Sequence, residues 1–182
     1  MKRIVLLVLI CVLMNGYTQT TPGIAHYLGV AKQMMNTTDD QKPLVMLNGT
    51  PYTGSIAKFK ASDIESIKVM DQMTAHALFQ GSGIHGAIVI ATKQYVIDAC
   101  RDKLLNLGEG FRRFVRDHKG NDNISYRLNG HMLTGDKYSI ANQLYKIPDD
   151  NIRWVKTAEL PDSTNVGAIV SVRTLDSHDG GD

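Results

Sequence analysis

Residues 81–93 read GSGIHGAIVIATK, and this stretch decides the fold. It starts with three closely spaced glycines and continues into an unbroken apolar run at 87–92, which is typical of a buried strand. Residues 73–79 before it read as a helix, which the glycines end. The pattern therefore predicts a helix, a glycine turn and a buried strand in succession.

Two earlier segments complete this pattern. Residues 43–52 read PLVMLNGTPY, an apolar strand that ends in an Asn-Gly turn dipeptide. Residues 63–70 read DIESIKVM and lead from a short helical turn into another strand. Ser62 and Glu65 have the spacing of a capping box for that turn. We therefore expect residues 43–93 to form one small β-α-β unit.

A long helix is predicted at residues 94–120, between this unit and the rest of the chain. Apolar residues recur there at alternating spacings of three and four, which places them on one stripe. The stripe consists of Ile97, Cys100, Leu104, Leu107, Phe111 and Phe114. The basic residues off the stripe would face solvent or an acidic partner, and they are Arg101, Lys103, Arg112, Arg113 and Arg116. Gly108 and Gly110 each weaken a helix by up to about 1 kcal/mol relative to alanine, which favours a break there.

Residues 121–175 repeat the first pattern loosely. Leu-Asn-Gly at 47–49 recurs at 128–130, and Gly-Ala-Ile-Val at 86–89 recurs at 167–170, both with an offset of 81 residues. The middle anchors, Ile64 and Ile152 among them, differ by 88 residues, so the second copy has a longer first loop and a shorter second loop. Three anchors in the same order predict an internal repeat.

The N-terminus has the three-part pattern of a secretory signal peptide, predicted at residues 1–19. Two basic residues precede an apolar run at 4–14, which is too short to cross a bilayer as a helix. A buried helix or an uncleaved anchor is the alternative. Residues 20–42 form a segment of uncertain order with a short helix around 25–35, and the polar tail at 176–182 is predicted to be disordered.

Residues 43–93 resemble the plug domain of TonB-dependent outer-membrane receptors, especially the nutrient-uptake receptors of Bacteroidetes. The three segments quoted above carry the resemblance through their order and spacing. Residues 121–175 then form a second, divergent plug-like repeat. The resemblance implies an α+β fold of two small plug-like β-α-β units with mixed sheets, linked by a long helix.

The resemblance also shapes the expected function. No long series of alternating strands follows residue 93, so we expect a stand-alone plug-like protein without a barrel. The prediction is a non-enzymatic, exported binding or docking module in the periplasm or at the outer membrane. Its expected partner is a TonB-dependent receptor or another envelope protein, with peripheral membrane association left open. We expect partner contacts at Tyr52, Phe79, Ser82 and His85. A regulatory domain that docks on a membrane peptidase, and a periplasmic enzyme of unknown class, are the alternatives.

The motifs that could carry chemistry do not fit their surroundings. The glycines at 81, 83 and 86 match a dinucleotide-binding spacing, but that site needs a strand before the glycines and a helix after them. Cys100 lies on an apolar stripe, where a buried, inert thiol is usual. The six histidines show no paired metal-ligand spacing. The formal charge of +2 gives no argument for nucleic acid. We therefore predict no catalytic residue, cofactor or metal site.

Overall fold

The computed structural model describes residues 23–118, 123–161 and 167–176. The predicted signal peptide lies outside these ranges, as does the predicted tail beyond residue 176. The fold is α+β, as predicted, with two four-stranded mixed sheets. The α-helices are Ile24–Met34 (α1), Gln72–Phe79 (α2), Lys93–Leu107 (α3), Glu109–Asp117 (α4) and Lys137–Tyr145 (α5). The strands are Leu44–Leu47 (β1), Thr50–Pro51 (β2), Ile64–Met70 (β3), Ala87–Thr92 (β4), Ile124–Leu128 (β5), His131–Met132 (β6), Ile152–Glu159 (β7) and Ala168–Thr174 (β8).

The chain divides into two compact units, and the first is Met1–Lys93. Its strand order is β2-β1-β4-β3, with β1 and β4 parallel and the outer strands antiparallel. Because side chains alternate along a strand, neighbouring residues of β4 face opposite ways. Ile88 packs in a cluster with Leu28 of α1, whereas Ala87 packs with Ala75 of α2. Helices therefore pack on both faces of the first sheet.

The second unit is Gln94–Asp182, and its strand order β6-β5-β8-β7 has the same directions as the first. Its three helices contribute buried side chains to one cluster, which also contains Val170 and Val172 of β8. These helical side chains are Cys100, Leu104, Phe111, Ala141 and Leu144. Val170 and Val172 point to the same face of β8, so this cluster identifies one helix-packed face.

The predicted linking helix is two helices, α3 and α4, which meet at Gly108, so the break expected there is confirmed. A Cβ atom at Gly108 would lie 2.8 Å from Cγ1 of Val155, so the break accompanies a close approach to β7. The stripe prediction is confirmed for Cys100, Leu104, Phe111 and Phe114, which are buried, but wrong for Leu107, which is 40% exposed. Both helices pack within the second unit rather than serving as a linker.

Local structure before β3 also departs from the expectation. The predicted capping box does not form, because the Ser62 hydroxyl donates a hydrogen bond to Oδ1 of Asp63 at 2.8 Å. A 3₁₀ turn at Ala61–Asp63 leads directly into β3. The equivalent 3₁₀ turn in the second unit is Asp149–Asn151, which precedes β7. The short helix expected around residues 25–35 is present as α1.

Each unit contains the same turn, fixed by the same side-chain bond. Asn48 and Asn129 have positive φ angles of 52° and 50°, and each precedes a positive-φ glycine. Asparagine tolerates this left-handed conformation, which matches the twist of a hairpin. Oδ1 of Asn48 accepts a hydrogen bond from the backbone N–H of Thr92 at 2.9 Å, and Asn129 does the same with Thr174 at 2.9 Å. The turn is therefore anchored to the end of the central strand in both sheets.

The strand pairing corrects the predicted alignment of the two units. Leu47, Ile90 and Ile67 lie in one row of the first sheet. Leu128, Val172 and Val155 form the matching row of the second, with offsets of 81, 82 and 88. The offset of 81 predicted for the last strand is therefore wrong by one residue, and a shift of one exchanges the two faces of a strand.

The corrected alignment decides which residues of the last strands are in the core. Ile88 corresponds to Val170, and both have no exposed surface. Val89 and Ile169, which the sequence pattern also places in buried strands, are half-buried.

Candidate functional site

The two units differ on one face of the sheet, which lies opposite Ile88 in the first unit and opposite Val170 in the second. On this face, four residues that pair side by side, one from each strand, form a row across the sheet. In the first unit the row is Pro51, Met46, Val89 and Lys68. In the second unit the row is Met132, Arg127, Ser171 and Lys156. The lysine is common to both rows, but the two central residues change from apolar to polar.

The neighbouring rows differ in the same sense. Leu44, Ala87 and Met70 of the first unit correspond to Ser125, Ile169 and Ala158 of the second. Ser66 and Ala91 correspond to Trp154 and Arg173. In the first unit, α2 packs on this face against Met70 and Ala87. In the second unit, the helices place their buried side chains in the cluster of the opposite face.

We define the cationic face as Arg127, Trp154, Lys156, Ser171 and Arg173. Arg127 and Lys156 flank Ser171 on the two adjacent strands, and Arg173 lies beside Trp154. Strands are about 4.8 Å apart, so the Cα atoms of Arg127 and Lys156 are about 10 Å apart. None of the described strand positions on this face carries a carboxylate. Three cations and one tryptophan thus share one sheet face.

The aromatic and polar atoms of this face are only partly engaged. Nζ of Lys156 lies 4.8 Å from the centre of the Trp154 ring, within the range of a cation–π interaction. Nε of Arg127 is buried and makes no hydrogen bond to the described residues. A buried donor without an acceptor is unfavourable, and a carboxylate is the acceptor that pairs best with a guanidinium. Because Nε of Arg127 is buried, the positive charges of this face, rather than this atom, favour an anionic group.

Among the basic residues of α3 and α4, Lys103 is partly buried, whereas the four arginines are exposed. Lys103 has a side chain only 9% exposed and ion-pairs with Asp149 at 3.1 Å. Its Nζ donates hydrogen bonds to the carbonyl oxygens of Leu144 and Tyr145, both at 3.3 Å, and to that of Ile147. A cation there satisfies the free carbonyls at the C-terminal end of α5. For Lys103, the expectation of a solvated face is therefore wrong.

Arg112 has a similar role at the end of α3. Its Nε donates a hydrogen bond to the carbonyl oxygen of Leu105 at 3.0 Å, and Nη2 donates to that of Asn106 at 3.3 Å. Arg113 and Arg116 form surface ion pairs with Glu109 and Asp117. The cations that spacing alone assigned to one helix face thus serve mainly helix termini and local pairs.

The residues predicted to contact a partner are not brought together on one surface. Tyr52 packs against the cluster that contains Ile88, and its ring lies 5.9 Å from that of Phe59. Phe79 packs against the cluster on the opposite face of the same sheet. Both rings are half-buried, so each is part of the structure of the first unit. Substitution of either would therefore affect folding as well as any contact.

The other two predicted contact residues lie in one loop. Ser82 is exposed and His85 is half-buried, and they flank Ile84, which is 51% exposed. The pKa of Asp40 is lowered, first by a hydrogen bond from the Thr38 side chain and to a smaller extent by the charge of His85. His85 therefore lies near the Asp40 carboxylate.

The glycines of this loop have a steric function. A Cβ atom at Gly83 would lie 2.4 Å from the carbonyl oxygen of Ala75, so only glycine permits this contact with α2. Gly86 has a φ of +90° and a similar contact with Met70. A helix precedes and a strand follows, the order opposite to that of a dinucleotide site. Gly83 and Gly86 are explained by the turn, whereas a Cβ atom at Gly81 would have no neighbour within 4 Å.

The remaining candidates for chemistry have no reactive setting. Burial raises the pKa of the Cys100 thiol to about 11, so the thiol stays protonated near neutral pH. Among the described residues, no group of three or more His, Cys, Asp or Glu side chains could hold a metal ion. His118 stacks on Phe114 with the ring centres 4.6 Å apart. Within the described ranges, no helix is both long and apolar enough to cross a membrane.

Sequence reasoning missed the cationic face, although a signal for it is present. Ser125 and Arg127, Trp154 and Lys156, and Ser171 and Arg173 are three pairs of residues spaced by two. Each pair alternates with apolar side chains, the pattern of a strand with one polar face. The predicted offset of 81 aligned Val89 with Val170 and so hid the change from Val89 to Ser171.

Comparisons of the chain with protein-family models, with curated proteins and with solved structures returned no match.

Proposed function

We propose that this chain is a non-enzymatic docking module of the bacterial envelope, exported by its N-terminal segment. The observation that supports docking is the difference between the two sheets. The first sheet packs helices on both faces, whereas the second carries three cations and a tryptophan on the face opposite its helical cluster. Trp and Arg are enriched at the energetic centres of protein interfaces. The cationic face is therefore the docking surface in this proposal.

The resemblance of residues 43–93 to receptor plug domains supports the cellular setting. Plug domains are folded inserts that pack against protein, and a TonB-dependent receptor or another envelope protein is the proposed partner. Export is a separate part of the proposal, and it depends on the signal-like residues 1–19. N-terminal sequencing of the protein from periplasmic and outer-membrane fractions should find a start near Gln19. A cytoplasmic protein that starts at Met1 would contradict export.

Docking can be tested by site-specific cross-linking in living cells. A photo-reactive amino acid placed at residue 156 should give a discrete adduct with an envelope protein. The same residue at position 68 is the matched control, because Lys68 and Lys156 occupy equivalent, exposed positions of the two sheets. Absence of an adduct from 156, or equal adducts from both positions, would contradict docking through the cationic face. The non-enzymatic proposal would be contradicted if the purified protein turned over a substrate and substitution of His85 or Cys100 abolished that activity.

A further inference from the structure

We propose that the partner binds the cationic face through an acidic, extended polypeptide segment. This inference rests on the proposed docking function and adds the chemistry of the partner. Its main support is charge complementarity, because Arg127 and Lys156 flank Ser171 on a face where the described strand positions carry no carboxylate.

The spacing of the cations fits carboxylates on an extended chain. Residues two apart in a strand point the same way and are separated by about 7 Å. Two acidic side chains at that separation would come within reach of Arg127 and Lys156, whose Cα atoms are about 10 Å apart across Ser171. A guanidinium binds a carboxylate through paired hydrogen bonds.

The apolar residues favour a polypeptide over a phosphate-rich surface. Trp154 offers its ring beside Lys156, and Met132, 45% exposed, is the register neighbour of Arg127. These two side chains lie at opposite ends of the cationic face and would contact apolar groups between the acidic residues. Nucleic acid and anionic lipid would also engage the cations, and they are the alternatives that the experiment must exclude.

The chain contains a single tryptophan, so its intrinsic fluorescence reports on the cationic face directly. The full-length protein is titrated with a blocked octaglutamate peptide, and Trp154 emission is recorded. We expect a saturable change that is lost in 1 M NaCl, where the Debye length is about 3 Å. Octaglutamine should give no change, since it has the same backbone without the charge.

Charge reversal at the two equivalent lysines provides the matched control. Lys156→Glu should weaken octaglutamate binding at least about fivefold, whereas Lys68→Glu should leave it unchanged. Both side chains are exposed, so neither variant should unfold the chain. Because Lys156 contacts the Trp154 ring, binding to this variant is also followed with a peptide that carries its own fluorophore.

Three results would overturn the inference. They are no saturable change with octaglutamate, equal weakening by both variants, and tighter binding to phosphatidylglycerol vesicles or oligothymidine than to the peptide. A cross-link from position 156 without octaglutamate binding would retain the docking function and reject the acidic segment. Absence of the cross-link would reject the docking function itself.

Discussion

The two units share the same strand order and the same anchored Asn-Gly turn, but they differ on the second face of the sheet. In the first unit, Met70 and Ala87 are buried under α2. In the second, the equivalent Ala158 is exposed, and Arg127 and Ser171 occupy the positions of Met46 and Val89. The comparison shows that a common scaffold can keep one face for its core while the other changes from a helix-covered apolar face to a cationic one.

Where the helices lie follows from the lengths of the connections. The connection at 71–86 between β3 and β4 of the first unit contains α2, whereas its counterpart at 160–167 is shorter. In the second unit, the connection at 133–151 between β6 and β7 contains α5, whereas the first unit has only 3₁₀ turns at 52–63. The loop lengths predicted from the repeat are therefore confirmed. They determine which connection of each unit contains a helix.

The largest expected effect comes from placing a carboxylate at equivalent positions of the two faces. Val89→Asp inserts a charge beside the cluster under α2 and should lower the free energy of unfolding by about 2–4 kcal/mol. Ser171→Asp places the same charge between Arg127 and Lys156 and should change stability by no more than about 0.5 kcal/mol. Urea denaturation followed by circular dichroism measures both. Equal losses would mean that the two faces do not differ in burial.

The second prediction concerns the helices that pack on one face of the second unit. Lys103→Met removes the donor that satisfies the carbonyl end of α5 and leaves Asp149 without its partner. We expect a loss of about 2 kcal/mol. Arg101→Met on the same helix is the control, because Arg101 is exposed and should contribute less than about 0.5 kcal/mol. If both variants melt at the temperature of the wild type, Lys103 is not a cap.

A third, smaller effect should be the same in both units. Asn48→Gly and Asn129→Gly keep the positive φ but remove the side-chain bonds to Thr92 and Thr174. Each should cost about 1 kcal/mol. Urea titrations of the two single variants measure these costs separately. A loss in only one unit would show that the shared turn has a different role in each sheet.

The last effect is absent at neutral pH and concerns the thiol of Cys100, whose burial raises the pKa from 9.0 to about 11. Since the unfolded thiol ionises first, the folded state binds the proton more strongly. The contribution of this group to stability is therefore complete below pH 9 and is lost as the pH rises towards 11. The free energy of unfolding is measured against pH for a chain with Cys11→Ser and for the same chain with Cys100→Ala added. Only the chain that retains Cys100 should show this loss.

The same shift predicts slow thiol chemistry in the folded protein. At pH 8, a pKa about two units higher lowers the thiolate fraction about a hundredfold, and a thiol reagent should label Cys100 slowly until denaturant is added. Rapid labelling of the native chain would contradict the buried, inert role of this residue in the core of the second unit.

Several features of this fold follow from sequence because they depend on local chemistry. The turns at 48–49 and 129–130 need residues that tolerate positive φ, and the apolar run at 87–92 can only be a buried segment. The register of β8 could not be predicted, because two alignments that differ by one residue both pair apolar side chains. That single residue decides whether Val89 corresponds to Val170 or to Ser171.

The sequence also does not predict side-chain roles that depend on contacts with residues far away in the chain. Lys103 looks like a solvated residue from its helix alone, and only the approach of α5 makes it a cap. The cationic face is assembled from three strands that are far apart in the chain, and Arg127 and Lys156 become neighbours of Ser171 only through the pairing of β5, β8 and β7.

The central claim is that the sheet face covered in the first unit is accessible in the second. Met70 and Ala158 occupy equivalent positions on that face, but Met70 is 3% exposed and Ala158 is exposed. In a chain with Cys11→Ser and Cys100→Ala, a single cysteine at each position is labelled with a maleimide under native conditions. We predict that Ala158→Cys labels at the rate seen in denaturant, whereas Met70→Cys labels at least about tenfold more slowly. Equal native rates at the two positions would contradict the claim.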